Sequence, residues 1–356
     1  MATNPHNSER RLRAGVVGVG GIAREHVKGY RAAGVDVVAI CDIDPAVLED
    51  RANAWDIPTT YLDYERMLAE SELDVVSIST PVSTHHPITL AAAKAGVHVL
   101  CEKPISLDLE KAREMIEACD RAGVTLMIGH QLRSAGAVAK AKQLINEGAI
   151  GDVTFVRLRQ AHDWGGLDAV RPSFATRESG GGGTLLDNGC HLMDLARHLV
   201  GDVENVYTRM ATLRWPIELE DTSLVSVRFK SGALGSIENS WTATGWEEAF
   251  WVYGTRGSLE WTNRHQEPVL VHSFRESPAT TWAETDVARV DFAGEAPHVR
   301  HVRAFVEAVQ GQRDVACTGE DGLEAVRMVL AAYDSAHAGR EVALSDASVT
   351  LSEANA

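Results

Sequence analysis

Three side chains in this sequence have types and settings suited to handling the proton of a substrate hydroxyl. Lys103 stands in Glu102-Lys103-Pro104, directly after the apolar run Val97-His98-Val99-Leu100-Cys101. Pro104 stops any continuation of that run, so the lysine is held at its end. A lysine so placed steadies a developing alkoxide and lowers the pKa of a hydroxyl. Asp187 and His191 fall in Leu186-Asp187-Asn188-Gly189-Cys190-His191-Leu192-Met193-Asp194. Their i,i+4 spacing puts both on one face of a helix. Histidine titrates near neutrality and carries the proton, while aspartate orients it or holds the hydroxyl. Plainer roles fit the same residues: an ion pair of Lys103 with Glu102, and a helical contact of His191 with Asp187 or Asp194. A zinc set of Asp187, Cys190 and His191 is disfavoured, because adjacent helical residues point about 100° apart and converge poorly. No metal is expected. Neither Tyr30, Tyr61, Tyr64, Tyr207, Tyr253 nor Tyr333 has a lysine four residues on, which excludes a Tyr-x-x-x-Lys mechanism.

These residues need a scaffold, and the first half of the chain supplies its signature. The strand-like run Arg13–Gly18 leads straight into Gly18-Val19-Gly20-Gly21-Ile22-Ala23, a G-x-G-x-x-A turn that opens a helix to about Ala33. A second strand, Val35–Ile40, ends in Cys41-Asp42, with Asp42 22 positions after Gly20. Strand, glycine turn, helix, strand and terminal acid within about thirty residues form a dinucleotide-binding fingerprint. Gly18 permits the tight turn and Gly20 the close approach of backbone to pyrophosphate. Ala23 allows helix and strand to pack closely, and the N–H groups around Gly21 and Ile22 face the phosphates. Asp42 is placed to accept from the adenosine ribose hydroxyls. Ile43, Asp44 and Pro45 follow it, with no cation for a 2′-phosphate, so NAD is expected over NADP.

The alternation continues with strands at Val75–Ser79, Val97–Cys101 and Val124–Ile128, and helices at Glu65–Ser71, Ile88–Ala95 and Leu109–Ala122. Repeated βα units imply a parallel sheet covered on both faces, with ligands beyond the carboxyl ends of its strands. Past about residue 151 the pattern turns strand-rich: Val153–Ala161, Val203–Leu213, Ser223–Phe229, Ala233–Thr242, Phe250–Tyr253, Ser258–Trp261 and Val269–Phe274. The alternation in Leu224–Phe229 predicts a largely antiparallel sheet with two unlike faces. Helices at Val299–Gln310 and Gly322–Ala338 close the chain. The expected class is α/β, with a Rossmann domain at 1–135. An α/β domain with an open, mostly antiparallel sheet follows at 136–356, the last helices able to pack back on the first domain. Trp241, Trp246, Trp251 and Trp261 are either covered by another subunit or packed under the sheet's own helices.

The chain has 356 residues, 45% of them apolar and 24% charged, and a formal charge of −16. That composition excludes disorder, and the charge excludes nucleic acid or an anionic membrane surface as the main partner. Five widely spaced cysteines (Cys41, Cys101, Cys119, Cys190 and Cys317) without a C-x-x-C pair predict reduced thiols and a cytoplasmic protein. No apolar run is long enough to span a bilayer. Ser8-Glu9-Arg10-Arg11 mimics a twin-arginine export signal, but the apolar stretch behind it is needed as the first strand.

Taken together, Gly18–Ala23, Asp42, Thr80-Pro81 with His85, Glu102-Lys103-Pro104 and Asp187-x-x-x-His191 make nearly the whole chain resemble the Gfo/Idh/MocA oxidoreductases. The resemblance implies reversible hydride transfer between NAD(P) and a secondary alcohol of a sugar or polyol, in dimers or tetramers built on the open sheet. Lys103, Asp187 and His191 match the family's catalytic trio. Glu102 and Lys103 border the nicotinamide ribose, and Ser79, Thr80, Pro81 and His85 lie along the cofactor. His130-Gln131-Leu132-Arg133 replaces the Asn-x-Arg type of segment in many members, which assigns Gln131 to the cofactor and Arg133 to the substrate. His162, Asp163, Trp164, Arg171 and Arg177 fall near the family's sugar pocket, with His162 and Trp164 the expected contacts. An arginine there would suit an anionic sugar. The expected function is an NAD-dependent dehydrogenase of a sugar, anhydrosugar or cyclic polyol. Its alternatives are an NAD-dependent glycoside hydrolase acting by transient oxidation, and an NAD-sensing regulatory protein.

Overall fold

In a computed structural model of the chain, residues 10–163, 181–264, 270–274, 286–292 and 294–354 are described. Contacts divide them into two units. The first comprises the chain up to Ser106, Glu110–Ser134 and Ala296–Glu320; the second comprises Leu107–Leu109, Ala135–Glu295 and Asp321–Ala356.

The first unit is a six-stranded parallel sheet of β1 (Arg13–Val17), β2 (Asp36–Cys41), β3 (Thr60–Tyr61), β4 (Val75–Ile78), β5 (His98–Cys101) and β6 (Leu126–Ile128). Their order is β3-β2-β1-β4-β5-β6, the doubly wound arrangement of a dinucleotide-binding domain. All four residues of β4 are buried, as parallel strands with helices on both faces require. The connecting helices are α1 (Ala23–Ala32), α2 (Pro45–Trp55), α3 (Tyr64–Glu70), α4 (His85–Lys94) and α5 (Leu109–Ala122). Neither α2 nor β3 is among the expected elements.

A helix from far along the chain, α8 (Pro297–Val309), belongs to this unit and packs on α1. Val302, Phe305 and Val306 join Tyr30, Val27 and Ile40 in one core. The two helices approach so closely that a Cβ on Gly29 would stand 2.5 Å from the Val302 Cβ. Glycine is therefore required at that crossing.

The second unit carries α6 (Gly136–Asn146), α7 (Thr184–Val200), α9 (Gly319–Ala338) and α10 (Leu351–Ala354). Its strands are β7 (Val153–Asp163), β8 (Val203–Ala211), β9 (Thr222–Phe229), β10 (Leu234–Ser240), β11 (Thr242–Gly254), β12 (Gly257–Thr262), β13 (Leu270–Phe274), β14 (Asp286–Val290) and β15 (Val342–Ala343). Its sheet runs β14-β13-β12-β11-β7-β10-β9-β8-β15. Among the described strands, neighbours pair antiparallel except β7 with β10, which run parallel. In β9 (Thr222–Phe229), Ser223, Val225, Val227 and Phe229 are buried while Leu224, Ser226 and Arg228 are exposed. Helix α7 covers the buried face. Across the other face, pairing sets Tyr253 (β11, Thr242–Gly254), Phe155 (β7) and Leu234 (β10, Leu234–Ser240) side by side. All three are more than a third exposed. Trp241 is fully buried within this unit and needs no covering subunit, whereas Trp246 is half exposed. The short strands β14 (Asp286–Val290) and β15 lie outside the expected set.

Candidate active site

The cofactor residues read from the sequence gather at the carboxyl ends of the first unit's strands. Gly18 follows β1 with φ +84°, and a Cβ there would stand 2.7 Å from the Ser79 backbone. Both facts demand glycine, and both follow from the turn nesting against the segment after β4. Ser79 completes the contact by donating from N to the Val17 carbonyl and from Oγ to that of Gly18, each at 2.8 Å. Gly20 and Gly21 are exposed, and a Cβ on Gly20 would meet nothing within 4 Å. Its openness is thus unexplained by the protein's own packing. Ile22 starts α1 without any side-chain cap, and the start of a helix left uncapped suits an anion.

Asp42 ends β2 with its carboxylate fixed by two backbone N–H groups, those of Val19 at 2.8 Å and Asp44 at 3.0 Å. It therefore ties the glycine turn to the strand end while its remaining lone pairs stay available. Asp44 accepts from the N–H groups of Ala46 and Val47 and caps α2. Thr80 and Pro81 bend the chain away from β4, and Thr84 Oγ1 donates into this turn. His85 is buried, with its ring nitrogens 2.9 Å and 3.0 Å from the carbonyl oxygens of Pro104 and Thr80. It joins the loops after β4 and β5.

Glu102 follows β5 and is held on three sides. His26 Nε2 lies 2.9 Å from Oε1, and the Lys103 N–H donates to Oε2 at 3.3 Å. Gly129 presses on the carboxylate so closely that a Cβ would stand 2.8 Å from Oε1. Burial pushes this carboxyl up, but the hydrogen bond from His26, with the charge of Lys103 beside it, outweighs burial and holds it below its ordinary value. His26 is absent from the residues singled out in the sequence, whereas Gly129 opens the strand-end segment Gly129–Arg133 expected beside the ligand. The available signal was the spacing Ala23, His26, Val27, Tyr30, which puts a histidine on the buried stripe of α1.

Gln131 and Arg133 lie in a single 3-10 turn, Gln131–Ser134. Gln131 is partly exposed, while Arg133 is buried and donates to the Ala316 carbonyl at 3.1 Å. His130 is fully buried. In this unit the reading brings together Gly18, Gly20, Gly21, Ile22, Ala23, Asp42, Ser79, Thr80, Pro81 and Glu102 along one sheet edge.

In the second unit Asp187 and His191 share one face of α7, Asp187 partly exposed and His191 buried. The start of that helix is built around Glu220, whose carboxylate accepts from the Leu185 N–H at 3.0 Å and the Tyr333 hydroxyl at 2.8 Å. Burial pushes the Glu220 carboxyl up, against those hydrogen bonds. A Cβ on Gly183 would meet the Glu220 carbonyl oxygen at 2.0 Å, so the glycine run ahead of the helix is a steric requirement. His162, at the end of β7, stacks on Trp246 with ring centroids 4.6 Å apart and planes 13° apart. Below it, Gln160 donates at 2.9 Å to Glu248, whose carboxyl burial pushes up. Asp163 pairs with Arg214. Trp164, Arg171 and Arg177 lie outside the described residues. Among the described residues no cluster of histidine, cysteine and acid side chains could hold a metal ion, and no helix is long and apolar enough to cross a membrane.

Comparison with known proteins agrees with this layout. Residues 12–130 match a family model described as an oxidoreductase family with an NAD-binding Rossmann fold. Residues 138–260 match the GFO/IDH/MocA C-terminal domain. A 1,5-anhydro-D-fructose reductase of Ensifer adhaerens is 32% identical over 337 residues, spanning 92% of this chain and 97% of that protein. The myo-inositol 2-dehydrogenase of Thermotoga maritima is 28% identical over 346 residues, spanning 94% of this chain and 99% of its own. Among solved structures, a levoglucosan dehydrogenase in complex with NADH superposes with a TM-score of 0.86 at 24% identity, covering 94% of this chain and 99% of that one.

Proposed function

The chain belongs to the Gfo/Idh/MocA oxidoreductases, and from that premise we propose that it is an NAD-dependent dehydrogenase. It moves a hydride between NAD and a secondary hydroxyl of a sugar, anhydrosugar or cyclic polyol. The observation that carries this reading is the edge formed by the glycine turn, the uncapped start of α1 and the doubly anchored Asp42. Reductases and dehydrogenases of anhydrosugars and inositol among the relatives supply the substrate class.

In this reading the backbone from Gly18 to Ala23 receives the pyrophosphate, and Asp42 accepts from the adenosine ribose hydroxyls. Asp42 and Asp44 are both acids beside that ribose, which favours NAD over NADP. Ser79, Thr80 and Pro81 line the cofactor, with His85 setting the shape of their loop. Glu102, Lys103 and Gln131 border its nicotinamide end. When bound, the nicotinamide takes the hydride from the substrate carbon or returns it. Lys103 steadies negative charge on the substrate oxygen, His191 accepts the hydroxyl proton, and Asp187 orients the imidazole or holds the hydroxyl. Arg133 serves the substrate end by fixing the Gln131–Ser134 turn, and His162 and Trp164 contact the sugar. The open face of the second unit's sheet joins copies of the chain into a dimer or tetramer. The five buried, unbridged cysteines suit the reducing cytoplasm.

Steady-state kinetics of Lys103→Met and His191→Ala test the assignment. Each variant should lose about 10²–10⁴-fold in kcat while still binding NADH. Turnover near that of the unaltered enzyme would remove both residues from the mechanism.

A further inference from the structure

Helix α1 carries a buried polar chain that ends at the site. Tyr30 Oη lies 2.8 Å from Ser77 Oγ, Ser77 Oγ lies 2.9 Å from His26 Nδ1, and His26 Nε2 lies 2.9 Å from Glu102 Oε1. Tyr30 and Ser77 are fully buried and His26 is 3% exposed. The proton positions follow from counting donors, since a buried hydroxyl without an acceptor costs free energy. Ser77 Oγ is the hydrogen-bond partner of the Tyr30 hydroxyl, so Tyr30 donates to Ser77. Ser77, accepting there, donates its own proton to His26 Nδ1. That leaves the imidazole proton on Nε2, pointing at Glu102. Burial pushes the Tyr30 hydroxyl up, so the first donor of the chain keeps its proton. Every hydrogen in the chain then has an acceptor, and all point one way.

We infer that His26 is a positioning residue for cofactor binding, fixing the Glu102 carboxylate for the nicotinamide ribose through the donor chain Tyr30–Ser77–His26. The inference rests on the reading above that Glu102 borders that ribose. A carboxylate free to rotate would offer its oxygens to the ribose hydroxyls only part of the time. Here Oε1 is taken by His26 and Gly129 blocks retreat, which leaves the outward lone pairs in one orientation. Ser77 lies within β4 and His26 one turn into α1, so the chain also locks Glu102 to the two elements that hold the glycine turn.

Binding of two probes to purified full-length protein tests this: NADH, and ADP, which keeps the adenosine and pyrophosphate but lacks the second ribose. His26→Leu should weaken NADH about tenfold or more, as expected for loss of a hydrogen bond to a charged group, and leave ADP within about twofold. His26→Gln retains an amide N–H toward Glu102 and should recover NADH affinity to within about threefold of the unaltered protein. The double variant His26→Leu/Glu102→Gln should be no weaker than Glu102→Gln alone. Equal loss of NADH and ADP in His26→Leu, or no loss of either, would overturn the inference. Failure of the underlying reading has a different signature: Glu102→Gln would leave NADH affinity unchanged, or unaltered protein would bind neither probe.

Discussion

The Asp42 carboxylate at the first unit's sheet edge illustrates how much backbone chemistry precedes any ligand. Asp42 accepts from the N–H groups of Val19 and Asp44, so its position is set before a ribose arrives. Replacing it by Asn removes the charge and turns one acceptor into a donor aimed at an N–H. On the proposed placement of the adenosine ribose, Asp42→Asn should therefore weaken NAD binding and lower the ratio of NAD to NADP affinity by about tenfold, a figure set by loss of one like-charge contact near a 2′-phosphate. Competitive binding of the two nucleotides reads this directly; an unchanged preference would exclude Asp42 as its source. A second residue-scale effect concerns His301. Burial pushes its imidazole down from 6.5 to about 4, while Nε2 donates to the Ile128 carbonyl and Nδ1 accepts from Ser134. Because the folded value is depressed, the unfolded chain binds the extra proton as pH falls below 6.5. Stability is lost between about pH 6.5 and 4 and levels off below, by an amount on the order of 3 kcal/mol. Melting curves across that window should show a smaller decline for His301→Gln than for the unaltered protein. Asp42 was legible from its distance to the glycine turn. His301 was not, because its partners lie more than 160 residues away.

Among the elements, close approaches rather than propensity decide the geometry. Gly29 lets α1 and α8 touch at Val302. Alanine there gains up to about 1 kcal/mol in helix propensity, but overpacking costs about 1–3 kcal/mol. Gly29→Ala should lower the melting temperature, and adding Val302→Ala should restore much of the loss; a stabilised single variant would show that the helices separate freely. The sequence allows the last helices to pack back on the first domain, and Pro297–Val309 does so, but no local signal specifies the close approach of Gly29 to Val302. The unit β1–turn–α1–β2 was legible because glycine spacing, strand pattern and terminal acid are all local. Helix α2 was missed although its signals were present: Asp44 caps it and Pro45 occupies its first turn. The two-residue strand β3 and short β15 carry too few residues for any periodic signal. At α7 the i,i+4 pair and the preceding glycines were readable. The reason for Gly183, the Glu220 carbonyl and carboxylate against it, comes from a loop distant in the sequence, and Gly182 is crowded by the Tyr333 hydroxyl from still further along.

On the scale of the molecule, the charge of −16 limits macromolecular partners but not the dinucleotide, whose phosphates need only backbone N–H groups. The same scale explains the second sheet. Tyr253, Phe155 and Leu234 form an exposed apolar row beside Arg157, which grips Glu238 with two hydrogen bonds and stacks on Trp251. A face carrying both charge signs around an apolar row is suited to meet its own copy across a two-fold axis. On the proposal that this face joins copies of the chain, Leu234→Glu should lower the mass seen in sedimentation experiments, with little effect on NADH binding; an unchanged mass would contradict that proposal for this face. The proposed activity is NAD-linked oxidation of a sugar, anhydrosugar or cyclic polyol at a secondary hydroxyl. Its most direct test is NADH formation when the enzyme and NAD, or NADP for comparison, are offered a panel of monosaccharides, anhydrosugars and inositols. Steady reduction of NAD by at least one of them, faster than of NADP, is the result expected of that activity. No reduction of either nucleotide by any member, in protein shown to bind NADH, would contradict it.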